Sequence, residues 1–149
     1  MAKPITTAHT KLKALIDAGI TAESLGTITT SHDNHCPANL VPDTVSVDVD
    51  SFTEESLGLM DGPYPSYTYS IDLSVRIHTG LEGKPNRGAY NASLVDTLHE
   101  YVMKRRDLSD NYRIDSVVGG SLREYFDDSH SVGAQMIITV IAHIAQAQV

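Results

Sequence analysis

Along residues 67–78 apolar side chains stand at every second position. Tyr67, Tyr69, Ile71, Leu73, Val75 and Ile77 alternate with Thr68, Ser70, Asp72, Ser74, Arg76 and His78. A period of two is that of a strand with one buried face. At about 3.3 Å per residue this strand spans roughly 40 Å, well beyond the usual length of about 5 or 6 residues, so it needs an equally long partner. The C-terminal stretch 132–144 supplies one. From Met136 to Ala142 both of its alternating faces are apolar, as expected of an inner strand covered on two sides. The alternation also makes Leu73 intolerant of a charge and Ser74 tolerant of one.

Ala8, Leu12, Leu15 and Ile16 follow the spacing of one helical face, with Thr6 or Thr7 available as cap and Gly19 as stop; the spacing predicts a helix over residues 6–18. Leu94, Val95, Leu98, Tyr101 and Val102 predict a second over residues 90–106. Lys104, Arg105 and Arg106 fall in its last turn, where they complement the negative end of the helix dipole. Val45, Val47 and Val49 alternate with Ser46, Asp48 and Asp50, a strand with three valines inward. Residues 112–118 form another strand, ended by Gly119 and Gly120, where adjacent glycines signal a bulge or bend. Residues 26–30 suit a short edge strand, and residues 31–37 are rich in turn formers. Residues 52–66, with Glu54, Glu55, Asp61 and the run Gly62, Pro63, Tyr64, Pro65, read as a long exposed loop closing a hairpin onto the central strand. Residues 79–88 read as a second loop, and residues 122–130, with Glu124, Asp127 and Asp128, as an acidic excursion. The sum is one α+β domain over residues 1–149, a mainly antiparallel sheet with two helices packed on one face and long hairpin loops.

The totals narrow the function. With 149 residues and 41% hydrophobic content the chain suits a single domain with an ordinary core. No apolar run is long enough to span a bilayer and the N-terminus carries no hydrophobic signal region, so the reading is a soluble protein, intracellular when made, with no membrane partner. Cys36 is the one cysteine and has no internal disulfide partner. Eleven Lys and Arg against nineteen Asp and Glu leave a charge of −8, which argues against a sequence-independent grip on nucleic acid phosphates but not against DNA passing nearby.

Candidate chemistry is sparse. His32, Asp33, His35 and Cys36 form one local cluster of metal-capable side chains, yet their spacing is not that of a zinc finger, and turn formation by Asp33, Asn34 and Pro37 accounts for most of the segment. Asp127, Asp128, Ser129 and His130 carry ingredients of a hydrolytic set without an evident oxyanion-binding element. There is no phosphate-binding glycine loop, dinucleotide fingerprint, His-Glu-x-x-His or Gly-x-Ser-x-Gly motif, so no catalytic residue, cofactor or metal is expected. Asn91, Ala92 and Ser93 match a glycan acceptor that stays bare without secretion. His143, within an apolar strand, reads as a satisfied interior histidine.

Taken in order, the helix at 6–18, the strand through Val49, the loop, the strand at 67–78, the helix carrying Leu94 to Val102 and the final strands at 112–118 and 132–144 resemble the tail terminator proteins of long-tailed, siphovirus-like bacteriophages. The resemblance spans almost the whole chain and rests on element order and hydrophobic pattern. It implies a virion protein of the tail and neck, present in the host cytoplasm during assembly, that forms a homo-hexameric ring. Such a ring caps the finished tube of the major tail tube protein and meets the head-side connector or stopper, with no enzymatic activity and no cofactor.

The over-long strand, the doubly apolar last strand and the net negative charge agree with a closed ring whose channel repels DNA, so that DNA slides through without specific binding. The lumen candidates are Asp48, Asp50 and Asp72 on the polar faces of two strands, with Glu54 and Glu55 in the adjoining loop; Asp127 and Asp128 are candidates for contact with a neighbouring ring. The near alternative is another neck protein, a tail-completion or head-tail joining factor. The alternative of a different class is a small metal-dependent enzyme using the cluster between His32 and Cys36.

Overall fold

The computed structural model describes residues 3–25, 31–32, 44–58, 66–81, 87–119, 123–126 and 129–145. Two helices, α1 (Pro4–Ala22) and α2 (Arg87–Met103), pack with one sheet built from β1 (Ser31–His32), β2 (Thr44–Gly58), β3 (Ser66–Leu81), β4 (Asp107–Ser109), β5 (Tyr112–Gly119), β6 (Arg123–Phe126) and β7 (Ser129–Ala145). The spatial order is β1-β2-β3-β7-β5-β4, with β6 also paired to β7. Every pairing is antiparallel except the short β1–β2 contact. The fold is therefore α+β and mainly sheet, as its pattern implies.

The two long strands meet at the centre. β3 and β7 run as an unbroken ladder from Ser66 opposite Ala145 to His78 opposite Gly133. On one face this ladder sets Ile71, Leu73, Val75 and Ile77 beside Val140, Ile138, Met136 and Ala134, all of them buried. Both helices press their apolar stripes onto this face: Ala8, Leu12, Ile16 and Ile20 from α1, and Leu94, Leu98 and Val102 from α2. At about 25 cal/mol per Å² of apolar surface removed from water, this cluster is the main stabilising term.

α1 is longer than its apolar spacing predicts at both ends. Pro4 occupies its first turn, where a missing N–H costs nothing, and no side chain caps it. Gly19 does not stop it. A Cβ at residue 19 would come within 2.8 Å of Tyr101 Cδ1, so the glycine is needed for close approach of α1 and α2. Beyond Ala22 the helix is closed by Ser24, which takes a φ of 51° while Leu25 N–H bonds Ile20 O and Ser24 N–H bonds Thr21 O. Leu25 then turns back onto the core beside Ile20, completing a Schellman close. α2 begins and ends three residues earlier than predicted. Lys104, Arg105 and Arg106 follow it, and Arg105 Nη1 donates to the Tyr101 carbonyl at 3.3 Å with its guanidinium 3.8 Å from the Tyr101 ring centre.

The strands depart further from the reading. Residues 52–58 are not loop: β2 continues through them, paired to β3 as far as Gly58 opposite Ser66. The alternation fails there, because a bulge at Asp50 shifts the phase and no described helix covers residues 52–55, all of them exposed. Of the three valines of β2, Val45 and Val47 are buried but Val49 is 39% exposed. Residues 79–81 extend β3, and β6 with the start of β7 makes a hairpin of much of the acidic excursion. The kink in β5 falls at Asp115, whereas Gly119 stays in register opposite Met136. Residues 26–30, residues 33–37 of the turn-rich run, loop residues 59–65 and 82–86, and Gly120 lie outside the described residues.

Gly19→Val tests the interhelical approach. Branched bulk against Tyr101 overpacks the contact and costs about 1–3 kcal/mol, so thermal unfolding should move down by several degrees. A melting temperature equal to that of the wild type contradicts the contact.

Candidate functional site

The second face of the sheet carries no helix among the described residues, and its side chains form rows across the strands. Ser46, Arg76 and Gln135 make one row, Asp48, Ser74, Ile137 and Val118 the next, and Ser51, Asp72, Thr139 and Ser116 a third. Thr53, Ser70, Ile141 and Arg113 follow, then Glu55, Thr68 and His143. Asp48, Asp50, Glu55 and Asp72 thus share one face, with Arg76 and Arg113 as its cations.

Hydrogen bonds tie the acids into the sheet. The bulge turns Asp50 toward β3, where it accepts a bond from Ser74 Oγ; Gln135 Nε2 donates to the same hydroxyl at 3.0 Å. Asp72 accepts from Thr139 Oγ1 at 2.7 Å and from Ser51 Oγ at 3.3 Å. Ser74 is fully buried beneath this network. The alternation had made it a solvated position, because a polar side chain on a bare face looks the same in sequence whether water or neighbouring side chains cover it. Ser46 Oγ and Arg76 Nε, both shielded from solvent, have no hydrogen-bond partner among the described residues. The face is therefore held with fixed polarity rather than as a loose solvated surface.

Glu54 and Glu55 lie in β2 rather than in a loop, and they part company. Glu55 is on the bare face, whereas Glu54 sits opposite Tyr69 on the helix side. There partial burial, with a hydrogen bond and like charge from Glu54, holds the Tyr69 hydroxyl above its usual pKa. β7 is apolar on both faces, but only one is covered: Met136, Ile138 and Val140 are buried while Ile137 and Ile141 remain partly exposed. His143 is not interior. It is exposed at the end of the bare face, with Nδ1 3.1 Å from Thr68 Oγ1.

At the far edge the β4–β5 hairpin is stapled to α1. Lys11 Nζ donates to Leu108 O, Ser109 Oγ and Asp110 Oδ2 at 3.1 to 3.2 Å, and lies 5.6 Å from the Tyr112 ring centre. Ser109, Asp110 and Asn111 all take positive φ, which Asp and Asn tolerate. The turn signal of Ser109, Asp110 and Asn111 could have revealed this hairpin in the sequence. Arg106 reaches across to the Ile114 and Asp115 carbonyls, 3.1 Å from the former. Beside it an open cleft of about 790 Å³ is lined by Arg106, Asp107, Tyr112, Arg113 and His143 among others. Its lining mixes the cations Arg106 and Arg113 with the carboxylates of Asp107, Asp110 and Asp115.

Asp33, His35, Cys36, Asp127 and Asp128 lie outside the described residues, and His32 is placed only by backbone, beside Ser46 in β1. Among the described residues no three of His, Cys, Asp and Glu gather to hold a metal ion. Among the described residues no helix is long and apolar enough to cross a membrane. No family model matches the chain, and no curated protein matches its sequence.

Ser74→Asp tests the bare face. A carboxylate placed at the buried Ser74 position, beside the carboxylate of Asp50, costs several kcal/mol, so this variant should unfold at neutral pH nearly as readily as Leu73→Asp, while Ser74→Ala loses only about 1–3 kcal/mol. A Ser74→Asp protein that melts like the wild type contradicts the buried network.

Proposed function

We propose that this chain is a ring-forming structural protein of a tailed virion, of the tail terminator type, which closes the tail tube and meets the connector on the head side. The observation that carries the reading is the mismatch of lengths in the fold. β3 has 16 residues and runs to about 50 Å, whereas α1 and α2, with 19 and 17 residues, reach only about 25–29 Å. The β2–β3–β7 arm therefore outruns its cover, and Phe52 on it is 52% exposed. A monomer gains nothing by extending strands into solvent; an assembly gains contact surface from them.

Two further observations support a structural role over an enzymatic one. The polar side chains of the bare face are tied to one another across strands instead of converging on a reactive position. Its acids, Asp48, Asp50, Glu55 and Asp72, share one side, as suits a channel that lets DNA pass without adhering. Glu54, on the opposite side, belongs to the arm rather than to that lining. The major tail tube protein and the head-side connector are the partners of this reading, and a tail-completion or other head-tail joining role uses the same geometry.

Sedimentation analysis and electron-microscopic class averages of the purified protein, concentrated and cross-linked, test the ring. The expected result is a closed species at six times the chain mass with an open centre. A species that stays monomeric at every concentration, or a dimer closed by a two-fold axis, overturns the reading.

A further inference from the structure

The two edges of the sheet are unlike, and both are incompletely covered. β1 lies beside only Val45 and Ser46, and His9 Nε2 takes the Val47 carbonyl at 2.8 Å; from Asp48 to Gly58 no described strand pairs with the outer side of β2. β4 lies beside only Tyr112 and Arg113, and Arg106 takes the Ile114 and Asp115 carbonyls, so Ser116 to Gly119 is open in the same sense. Open edges are ordinarily blunted by Lys, Pro or a covering element. Beside their charged residues and the bulge at Asp50, these edges carry exposed apolar side chains: Val49 and Phe52 on β2, at 39% and 52% exposure, and Val118 on β5 at 57%.

The open segments also lie at the same height. The rungs run from Asp48 through Ser74 and Ile137 to Val118, from Val49 through Leu73 and Ile138 to Val117, and from Ser51 through Asp72 and Thr139 to Ser116. Three successive antiparallel pairings make β2 and β5 antiparallel to each other. A copy set beside another in the same orientation thus brings complementary edges together in register. Charge agrees with that sense of joining. β2 carries Asp48, Asp50, Glu54 and Glu55 and no Lys or Arg. The other edge presents Arg105, Arg106 and Arg113 against Asp107 and Asp115, since Lys11 holds Asp110 and Lys104 is paired with Glu100.

We infer that the chain binds a second copy of itself head to tail, with the outer edge of β2 in one copy lying antiparallel beside the β4–β5 edge of the next. This rests on the ring reading above and names its joint. Asp48 to Ser51 enters the gap beside Ser116 to Gly119. Above that height β4 stands beside β5, and the bulge at Asp50 bends β2 where β4 begins. Glu55 then lies on the same face as the neighbour's Arg113, and Val49 and Phe52 leave water on the helix side. Such a joint is heterologous and repeats until it closes. At about 4.8 Å per strand the six-strand path is about 29 Å wide, so six copies make a ring about 55 Å across. The bare acidic face then lines the inside and the helices stand outside.

Charge reversal tests the joint. Glu54→Lys/Glu55→Lys cancels the acidic charge of the β2 edge and sets Lys at position 55 toward the neighbour's Arg113, and Arg106→Glu/Arg113→Glu makes both edges acidic. Each variant alone should associate about tenfold more weakly or worse, because like charges then meet, and an equimolar mixture should recover assembly, since each then offers the edge the other lacks. Recovery in the mixture also shows that both variants fold. Val118→Arg, at an exposed position away from the Arg106 bonds, should weaken association independently. If wild type assembles and all three variants assemble equally well, the joint is wrong and the ring reading stands. If variants of only one edge matter, the contact is two-fold rather than head to tail and the inference falls. A wild type that never associates removes both.

Discussion

The pairing of β3 with β7 is the constraint on which the other elements depend. Its register is held by burial: a slip of one residue would turn Ile71, Leu73, Val75 and Ile77 out of the core and drive Asp72, Ser74 and Arg76 into it. With that ladder fixed, one face must take both helices. β2 and β5 then hang on its two sides, and their free edges become the sheet's ends. The polar network, the exposed arm and the mismatched edges all follow from where this ladder stops and what covers it.

A division of labour results. Helix-side packing supplies most of the stability. Asp50, Ser74 and Gln135, together with Ser51, Asp72 and Thr139, instead fix the orientation of carboxylates that would otherwise rotate freely. That arrangement presents a surface of defined charge. The Lys11 staple has the same character at the edge, holding a three-residue strand and its left-handed turn against α1.

The sequence made the covered parts legible. Period-two alternation in β3 and period-3.6 spacing in α1 and α2 exist because a second layer selects one side of each element, and these elements stand close to where the spacing puts them. Where no layer lies above, the signal vanishes. Residues 52–58 carry Glu54 and Glu55 on opposite faces of one strand, and with the bulge at Asp50 they mimic a polar loop. Gly19 looked like a helix stop because a glycine needed for helix contact and one needed for a left-handed turn are the same letter, whereas the real stop uses Ser24. Of the candidate acids, Asp48 and Asp50 share a parity and Asp72 lies on the polar face of its own strand, but the placing of Glu55 with them and of Glu54 apart, and the contributions of Phe52, Arg113 and Val118, depended on the bulge and on register. The polar bonds that bury Ser74 come from strands 61 residues apart at Gln135 and were beyond any local pattern.

Hydrogen exchange of backbone amides, resolved by residue, measures the central claim that one ladder carries the fold while the arm beyond it awaits a partner. In the free protein the slowest amides should fall within Ile71 to Ile77 and Ala134 to Ala142, exchanging only through global opening, while those of residues 52–58 and 66–69 exchange through local fraying and slow on assembly. Protection that is uniform along β2 and β3 in the free chain, or that is lost first at the centre, would contradict it.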